Sequence, residues 1–128
     1  MDVGKPKKVF IVEDDEFQGA VLRDRLVRDI PHHVSIFRTG EDCLKHMDQA
    51  PDIIVLDYYL NKEVKDAVSG MEILGLIKKS YPDVHVIMLS SQERYSVALQ
   101  SIQKGAEQYI IKDAEAIEKI TRIVNELD

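Results

Sequence analysis

The sequence predicts an α/β protein in which an open parallel sheet carries helices on both faces. Apolar runs recur five times along the 128 residues, and the segments between them have the spacing of amphipathic helices. Regular alternation of strand and helix is typical of βαβ units and a parallel sheet. The predicted strands cover residues 9–12, 34–37, 53–56, 84–89 and 109–111.

The strands differ in polarity, and the difference predicts their places in the sheet. The run at 34–37 is the most polar and alternating, which suits an edge strand, whereas the other four are more continuously apolar. Helical spacing is clearest in two segments. In the first it joins Phe17, Val21, Leu22, Leu26 and Ile30, and in the last it joins Ile117, Ile120, Val124 and Leu127.

Capping signals mark where the helices begin. Residues 69–72 (SGME) and 90–93 (SSQE) match the capping box, residues 39–42 (TGED) resemble it, and Asp15 offers a cap with Gln18 three residues later. The proline of "YPD" at 81–83 predicts the end of the third helix, since the residue before proline avoids the α region.

Composition limits the classes of protein to which the chain can belong. At 128 residues it predicts one domain over 1–128, with a short flexible polar tail at 1–7. The net charge of −6 argues against binding to nucleic acid or anionic membranes, and no apolar run is long enough to span a bilayer. A single cysteine, Cys43, fits a reducing cytoplasm, which is the expected location. Cys43 and Met47 are expected in the core, on the second helix. The histidines at 32, 33, 46 and 85 show no ligand spacing.

Polar side chains follow the predicted strands at their carboxyl ends, where open α/β sheets bind ligands. Glu13 and Asp14 follow the first strand, Asp57 the third, Ser90 the fourth and Lys112 the fifth. Three carboxylates repel one another unless a cation lies between them, and a site of oxygen donors suits Mg²⁺. A cation, a lysine and a hydroxyl around a carboxylate are what phosphoryl transfer to Asp57 needs.

The segments "VFIVEDDE", "IIVLD", "VIMLSS" and "GAEQYIIKD" resemble the response-regulator receiver domains of two-component signalling, over roughly residues 8–125. The resemblance implies a flavodoxin-like (βα)5 fold with strand order 2-1-3-4-5. It also implies a signalling receiver that assists only its own phosphorylation and dephosphorylation. Asp57 would accept a phosphoryl group from a histidine kinase or a phosphotransfer protein, and Lys112 would contact the phosphate.

The same resemblance assigns metal ligands. Glu13 and Asp14 would hold Mg²⁺, with Asp14 and Asp57 as direct ligands and the backbone carbonyl of Tyr59 as a further ligand.

Switching and output are also assigned by the resemblance. Ser90 would be the switch hydroxyl and Tyr109 the switch aromatic. The fourth helix, fifth strand and fifth helix would bind an output protein, without direct contact to nucleic acid or membrane.

The chain departs from the receiver pattern in two places. Asn61 replaces a proline, and Gly70 stands thirteen residues after Asp57, so the loop "NKEVKDAVS" carries about five extra residues. This loop is expected to be a mobile flap that shields the phosphate or contacts a partner, or else a passive insertion. Asp113 replaces a proline after Lys112 and could cap the last helix.

Simpler interpretations stand beside these roles. Asp15 is expected to cap a helix and not to bind metal, and Ser90 could itself be only the cap of the fourth helix. Tyr59 and Gln92 occupy positions that influence water access in receivers, and the bulk of Tyr59 predicts slow self-dephosphorylation.

Two other functions compete with the phosphorylated receiver. One is a receiver-like adaptor that acts without phosphate. The other is a metal-dependent phosphatase with an aspartyl nucleophile, which is disfavoured because Tyr59 stands where a second aspartate is usual. Neither GxxxxGK nor GxGxxG follows any predicted strand, so a phosphate-cradling nucleotide loop is not expected.

Overall fold

The computed structural model describes residues 4–60, 68–91 and 94–128. Five strands alternate with five helices in these residues, as the sequence predicts. The strands are β1 Lys8–Val12, β2 His33–Phe37, β3 Ile53–Asp57, β4 His85–Ser90 and β5 Gln108–Ile111. The helices are α1 Glu16–Asp29, α2 Gly40–Leu44, α3 Gly70–Ser80, α4 Tyr95–Gln103 and α5 Ala116–Glu126, with a 3₁₀ turn at Met47–Gln49.

The strands form one parallel sheet in the order β2-β1-β3-β4-β5, which confirms the expected topology. β3 is the central strand, and all five of its residues are buried. The edge position predicted for the polar second strand is also confirmed, because the side chains of β2 are half-buried or exposed. The strand that ends in Asp57 is thus held on both sides and covered on both faces.

Two apolar layers cover the sheet. On one face Phe10, Ile54 and Leu56 pack with Ile73 and Leu74 of α3. On the other face the alternate strand residues pack against α1 and α5, through side chains that include Val9, Ile53, Val55, Leu26 and Val124. Side chains of a strand alternate between its faces, so each strand contributes to both layers.

Most of the predicted helix boundaries are confirmed. The side chains of three N-cap residues accept hydrogen bonds from backbone N–H groups three residues later: Asp15 from Gln18, Thr39 from Asp42, and Ser69 from Glu72. Helix α3 ends at Ser80, immediately before the "YPD" segment. The alternative that Ser90 caps the fourth helix is wrong. Ser90 is the last residue of β4, and α4 begins later, at Tyr95.

The amino-terminal segment contacts the rest of the domain at two residues. Lys7 is buried, its N–H donates to Nδ1 of His32 at 2.9 Å, and its carbonyl accepts from the N–H of His33. A Cβ on Gly4 would lie 2.4 Å from the carbonyl oxygen of Asn125. Gly4 and Lys7 are therefore held against the rest of the domain. Residues 1–3 lie outside the described part of the chain, and the flexible tail at 1–7 stays a prediction.

The second helix also differs from the prediction. Cys43 and Met47 are buried as expected, but only Cys43 belongs to α2, because Met47 opens the separate 3₁₀ turn. Burial raises the pKa of the Cys43 thiol to about 12, which keeps it un-ionised. In α1 the helical spacing is confirmed, but Phe17 is 76% exposed whereas Leu22 and Leu26 are buried. None of the helices in the described residues is long and apolar enough to cross a lipid bilayer.

Gly70 allows α3 to start directly against the end of β3. A Cβ at this position would lie 2.1 Å from the carbonyl oxygen of Asp57 and 2.8 Å from Cα of Tyr58. We expect Gly70→Ala to destabilise the fold by about 2 kcal/mol, since backbone must move to relieve the overlap. Chemical denaturation measures the effect. The matched control is Gly75→Ala in the same helix, where a Cβ meets no atom within 4 Å. It should stabilise by about 0.5–1 kcal/mol through helix propensity. Equal effects of the two substitutions would contradict the steric requirement for glycine at position 70.

Candidate functional site

The carboxyl edge of the sheet gathers the polar residues predicted from the strand ends. Glu13 and Asp14 follow β1, and Asp57 and Ser90 are the last residues of β3 and β4. All four are buried, with Asp57 only 2% exposed and Ser90 fully covered. Buried polar side chains are uncommon unless they are paired or bind a ligand, so this edge is the candidate site.

The three acidic residues form a tight cluster. Carboxylate oxygens of Glu13, Asp14 and Asp57 all lie within 4.8 Å of one another. Burial raises the pKa of Glu13 to about 8, and a hydrogen bond to Asp57 and the charge of that carboxylate add to the rise. The ammonium of Lys112 acts in the opposite direction. Glu13 therefore retains its proton at neutral pH, because a second ionised carboxylate at this distance would repel Asp57.

Lys112 links the acidic cluster to the last strand. Its Nζ donates to Oε1 of Glu13 at 3.0 Å and to Oδ2 of Asp57 at 3.2 Å. Burial lowers the pKa of Lys112, but the charges of Asp57 and Glu13 outweigh it, and the net shift is upward. Its backbone N–H donates to the carbonyl of Ser90 at 2.8 Å. The lysine is thus held as a cation directly beside Asp57.

The carboxylate of Asp57 is oriented by two contacts on opposite oxygens. Oδ1 accepts from the backbone N–H of Tyr59 at 3.1 Å, while Oδ2 faces Lys112. The following backbone is fixed as well, because the N–H of Tyr58 donates to the carbonyl of Leu89 and its carbonyl accepts from Gly70. Asp57 therefore has a fixed side-chain direction as well as a fixed backbone.

The donor set of the cluster fits a hard divalent cation. Three carboxyl groups provide oxygen ligands without nitrogen or sulfur, and Lys112 provides one positive charge against three potential negative charges. Magnesium prefers such oxygen donors and needs only one or two carboxylates from the protein. The three expected metal ligands Glu13, Asp14 and Asp57 lie close together. Coordination by the backbone carbonyl of Tyr59 stays a prediction.

Ser90 and Tyr109, the expected switch residues, are neighbours. Their side chains share a hydrogen bond, and burial raises the pKa of the Tyr109 hydroxyl in spite of that bond. Tyr109 also packs against the apolar layer that contains Leu56 and Met88. The two residues connect the candidate site with β5, and their switch role stays a prediction.

The long loop after Asp57 falls largely outside the described residues. Of the predicted flap at 61–69, residues 61–67 lie outside the described residues, as does Gln92, and the flap stays a prediction. Where the chain is described again, the N–H of Val68 donates to Oε2 of Glu41 at 3.2 Å. This contact ties the end of the loop to α2.

Asp113 does not cap the last helix in the predicted way. Its Oδ1 accepts from the N–H of Glu115 at 2.9 Å, and Glu115 is the residue at the helix boundary. Asp113 therefore closes a turn just before α5. Aspartate commonly forms such turns by accepting from the backbone N–H two residues later.

Two residues of the site escaped the sequence reasoning. The Oε1 atom of Gln18 accepts from Nζ of Lys112 at 3.1 Å. The guanidinium of Arg38 donates to the carbonyl of Asp14 at 3.4 Å and lies 3.8 Å from Glu16. Arg38 directly follows β2, so the same inspection of strand ends could have found it. Gln18 carried no such signal, since its sequence neighbours explain it as part of a helix cap.

An apolar cavity of about 340 Å³ adjoins the acidic cluster. Phe17, Val21 and Ile117 line it between α1 and α5, and Lys112 and Gln18 lie at its polar end. Phe17 therefore lies beside the candidate site although most of its side chain is exposed.

Comparison with known proteins identifies the class. Residues 9–125 match the response regulator receiver domain family, and the chain belongs to that family. Such receivers are phosphoacceptor signalling modules of two-component systems, and the similar proteins are bacterial regulators.

Individual relatives are moderately similar. The luminescence regulatory protein LuxO of Vibrio campbellii is 30% identical over 129 residues, which cover 92% of this chain and 27% of LuxO. The transcriptional regulatory protein CitT of Halalkalibacterium halodurans is 31% identical over 82% of this chain and 45% of its own length. The chain thus spans about a quarter of LuxO and less than half of CitT. The chemotaxis protein CheY of Bacillus subtilis is 25% identical over 92% of this chain and 98% of CheY.

Solved structures agree with the fold. The BeF3-activated DrrB receiver domain superposes with a TM-score of 0.76 at 27% identity, over 93% of this chain and 97% of that domain. The Mn(2+)-bound response regulator Rcp1 superposes with a TM-score of 0.80 over 96% of this chain and 97% of Rcp1. At 21% identity, the likeness to Rcp1 shows the fold alone.

The raised pKa of Glu13 predicts how stability depends on pH without metal. The folded-state pKa of about 8 exceeds the ordinary value of 4.5, so the folded state holds the proton more tightly. This contribution to stability is complete below about pH 4.5 and is lost as pH rises through 8. We expect Glu13→Gln to abolish that loss and to be more stable than the parent by a few kcal/mol at pH 8.

Urea denaturation between pH 5 and pH 8.5, with chelator present, measures this difference. Glu126→Gln, at an exposed position at the end of α5, is the control and should follow the parent curve. A constant difference between Glu13→Gln and the parent across this range would contradict the assignment.

Proposed function

We propose that this receiver accepts a phosphoryl group on Asp57, from a phosphohistidine of a histidine kinase or phosphotransfer protein, in a reaction that requires Mg²⁺. The observation that carries the proposal is the surroundings of Asp57. This buried carboxylate lies 3.2 Å from the Lys112 ammonium and within 4.8 Å of two further carboxyl groups. Carboxylates arranged in this way are disfavoured unless they serve a cation or a reaction.

In the proposed reaction an oxygen of Asp57 attacks phosphorus, the O–P bond forms, and the N–P bond to the donor imidazole breaks. The backbone N–H of Tyr59 holds Oδ1 in place, which presents the carboxylate in one orientation. Lys112 stabilises negative charge on the transferring group from its position beside Oδ2. Bound Mg²⁺, held by Glu13, Asp14 and Asp57, would neutralise charge on the phosphoryl oxygens.

Loss of the phosphoryl group would occur by attack of water on the same phosphorus atom. The Tyr59 ring packs edge-to-face on Tyr58, with centroids 4.8 Å apart, directly after the phosphoacceptor. A tyrosine fixed at this place hinders the approach of water, which supports slow self-dephosphorylation.

Intact mass spectrometry tests the acceptor. After incubation with acetyl phosphate and Mg²⁺ we expect a single phosphoryl adduct, which requires Mg²⁺ and is absent from Asp57→Ala. Asp52→Ala is the matched control and should still form the adduct, since Asp52 lies at the opposite end of β3. An adduct that persists in Asp57→Ala would overturn the assignment. Failure to bind both acetyl phosphate and beryllium fluoride would favour the phosphate-independent adaptor.

The output surface is proposed on α4, β5 and α5. Tyr95, Leu99 and Ile102 of α4 are spaced i, i+4 and i+7 and are 79%, 43% and 47% exposed. They therefore form one apolar stripe on a helix surface, next to the strand that carries Tyr109. An exposed apolar stripe of this kind supports the binding of an output protein to this surface.

Ser90 is proposed to couple this surface to Asp57. We expect beryllium fluoride with Mg²⁺ to change amide hydrogen exchange in α4 and around Tyr109. Ser90→Ala should still take up a phosphoryl group on Asp57 but lose most of that change. The control is Ser101→Ala, because Ser101 is equally buried but bonds to the carbonyl of Val97 within α4. An undiminished response in Ser90→Ala would exclude the switch role.

A further inference from the structure

We propose that Gln18 is a positioning residue for Lys112: its side-chain amide holds the ammonium beside Asp57 for phosphoryl acceptance. The inference rests on the proposed function of Asp57 and concerns a residue that the sequence explains only as part of a helix cap. The contact joins the first turn of α1 to the residue that follows β5, 94 positions apart in sequence.

Gln18 completes the hydrogen bonding of the ammonium. Lys112 has three N–H donors, and three side-chain oxygens lie around it, from Glu13, Asp57 and Gln18 at 3.0, 3.2 and 3.1 Å. One of these acceptors, the carboxylate of Asp57, loses its charge when it accepts the phosphoryl group. The amide of Gln18 is neutral and takes no part in the reaction, so its hold on Lys112 is constant throughout.

The amide of Gln18 is itself fixed in one orientation. Its Nε2 donates to Oδ2 of Asp15 at 3.4 Å, and the backbone N–H of Gln18 donates to Oδ1 of the same aspartate at 3.1 Å. A carboxylate requires a donor and an ammonium requires an acceptor, so Nε2 faces Asp15 and Oε1 faces Lys112. The helix cap therefore orients the amide, and the amide orients the lysine.

Because Gln18 is exposed, its effect on Lys112 can be tested without disturbing the core. Gln18 is exposed, whereas the side chain of Lys112 is only 22% exposed. Substitution at Gln18 thus removes a contact to the lysine without opening the core. A lysine side chain has four rotatable bonds, so loss of the hydrogen bond to Gln18 lets the ammonium occupy positions away from Asp57.

The first test compares Gln18→Met, which keeps the side-chain length but lacks the acceptor, with Gln49→Met. Gln49 is also exposed but lies in the 3₁₀ turn at the opposite end of the sheet. Gln18→Met is expected to slow adduct formation from acetyl phosphate and Mg²⁺ by about three- to tenfold, the effect of one hydrogen bond to a charged group at a partly exposed site. Gln49→Met should react at the parent rate, and both variants should keep the parent thermal midpoint.

Two further readouts distinguish positioning from a structural effect. In protein labelled with ¹³C,¹⁵N-lysine, Gln18→Met should lower the NMR order parameter of Lys112 Cε, and Gln49→Met should not. Gln18→Met should weaken beryllium fluoride binding in the parent protein. In a Lys112→Ala background it should cause no further weakening, because Gln18 acts through Lys112. The proposal is overturned by an unchanged order parameter, by an unchanged rate, or by an equal loss in the Lys112→Ala background. If the parent protein forms no adduct, the proposed function fails, and the order parameter alone decides whether Gln18 holds Lys112.

Discussion

Crowding of carboxyl groups at one buried edge is the constraint on which the rest of this structure depends. Glu13, Asp14 and Asp57 lie within 4.8 Å of one another and are almost completely removed from solvent. Such a cluster opposes folding, and the raised pKa of Glu13 expresses the cost. The fold tolerates it because Lys112 supplies a positive charge and because Glu13 retains a proton. A bound divalent cation would relieve the same repulsion more completely, and it would then couple folding to metal binding and to the proposed phosphoryl acceptance.

The frame that holds this cluster is the central pair of strands. β1 and β3 are buried neighbours in the sheet, so the acidic groups at their ends cannot separate without loss of the sheet register. The start of α3 at Gly70 packs directly against the carbonyl of Asp57 and so fixes the backbone at the end of β3. Backbone rigidity here would favour the proposed reaction, since a nucleophile fixed in one orientation loses little freedom on reaction.

Local signals in the sequence were sufficient for the fold and for much of the site. Apolar runs located every strand to within one residue at each end, and side-chain caps at Asp15, Thr39 and Ser69 located three helix starts. The acidic cluster followed from the single rule that parallel strands end at one edge. These inferences succeed because they depend on residues close in sequence or on a general property of sheets.

The failures concern contacts between distant segments. Ser90 matched a capping pattern, yet β4 continues through it and α4 starts only at Tyr95. Nothing in the polar sequence around Lys7 predicts that its backbone hydrogen-bonds with His32 and His33 or that the residue is buried. The bond from Gln18 to Lys112 is of the same kind, since no spacing in the sequence encodes a contact across 94 residues. Strand order itself came from family resemblance and not from any pattern in the chain.

The proposed coupling from site to surface follows from the limited bonding capacity of one hydroxyl. Ser90 is fully buried at the end of β4, and its side chain shares a hydrogen bond with Tyr109. A serine has a single O–H donor, so donation to a phosphoryl oxygen on Asp57 would change its bond to Tyr109. Tyr109 lies on the edge strand beside α4, whose stripe of Tyr95, Leu99 and Ile102 faces solvent. A change at one buried hydroxyl can thus bias the position of an aromatic ring at the proposed output surface, and a bias of this kind needs only a small free-energy difference between two arrangements.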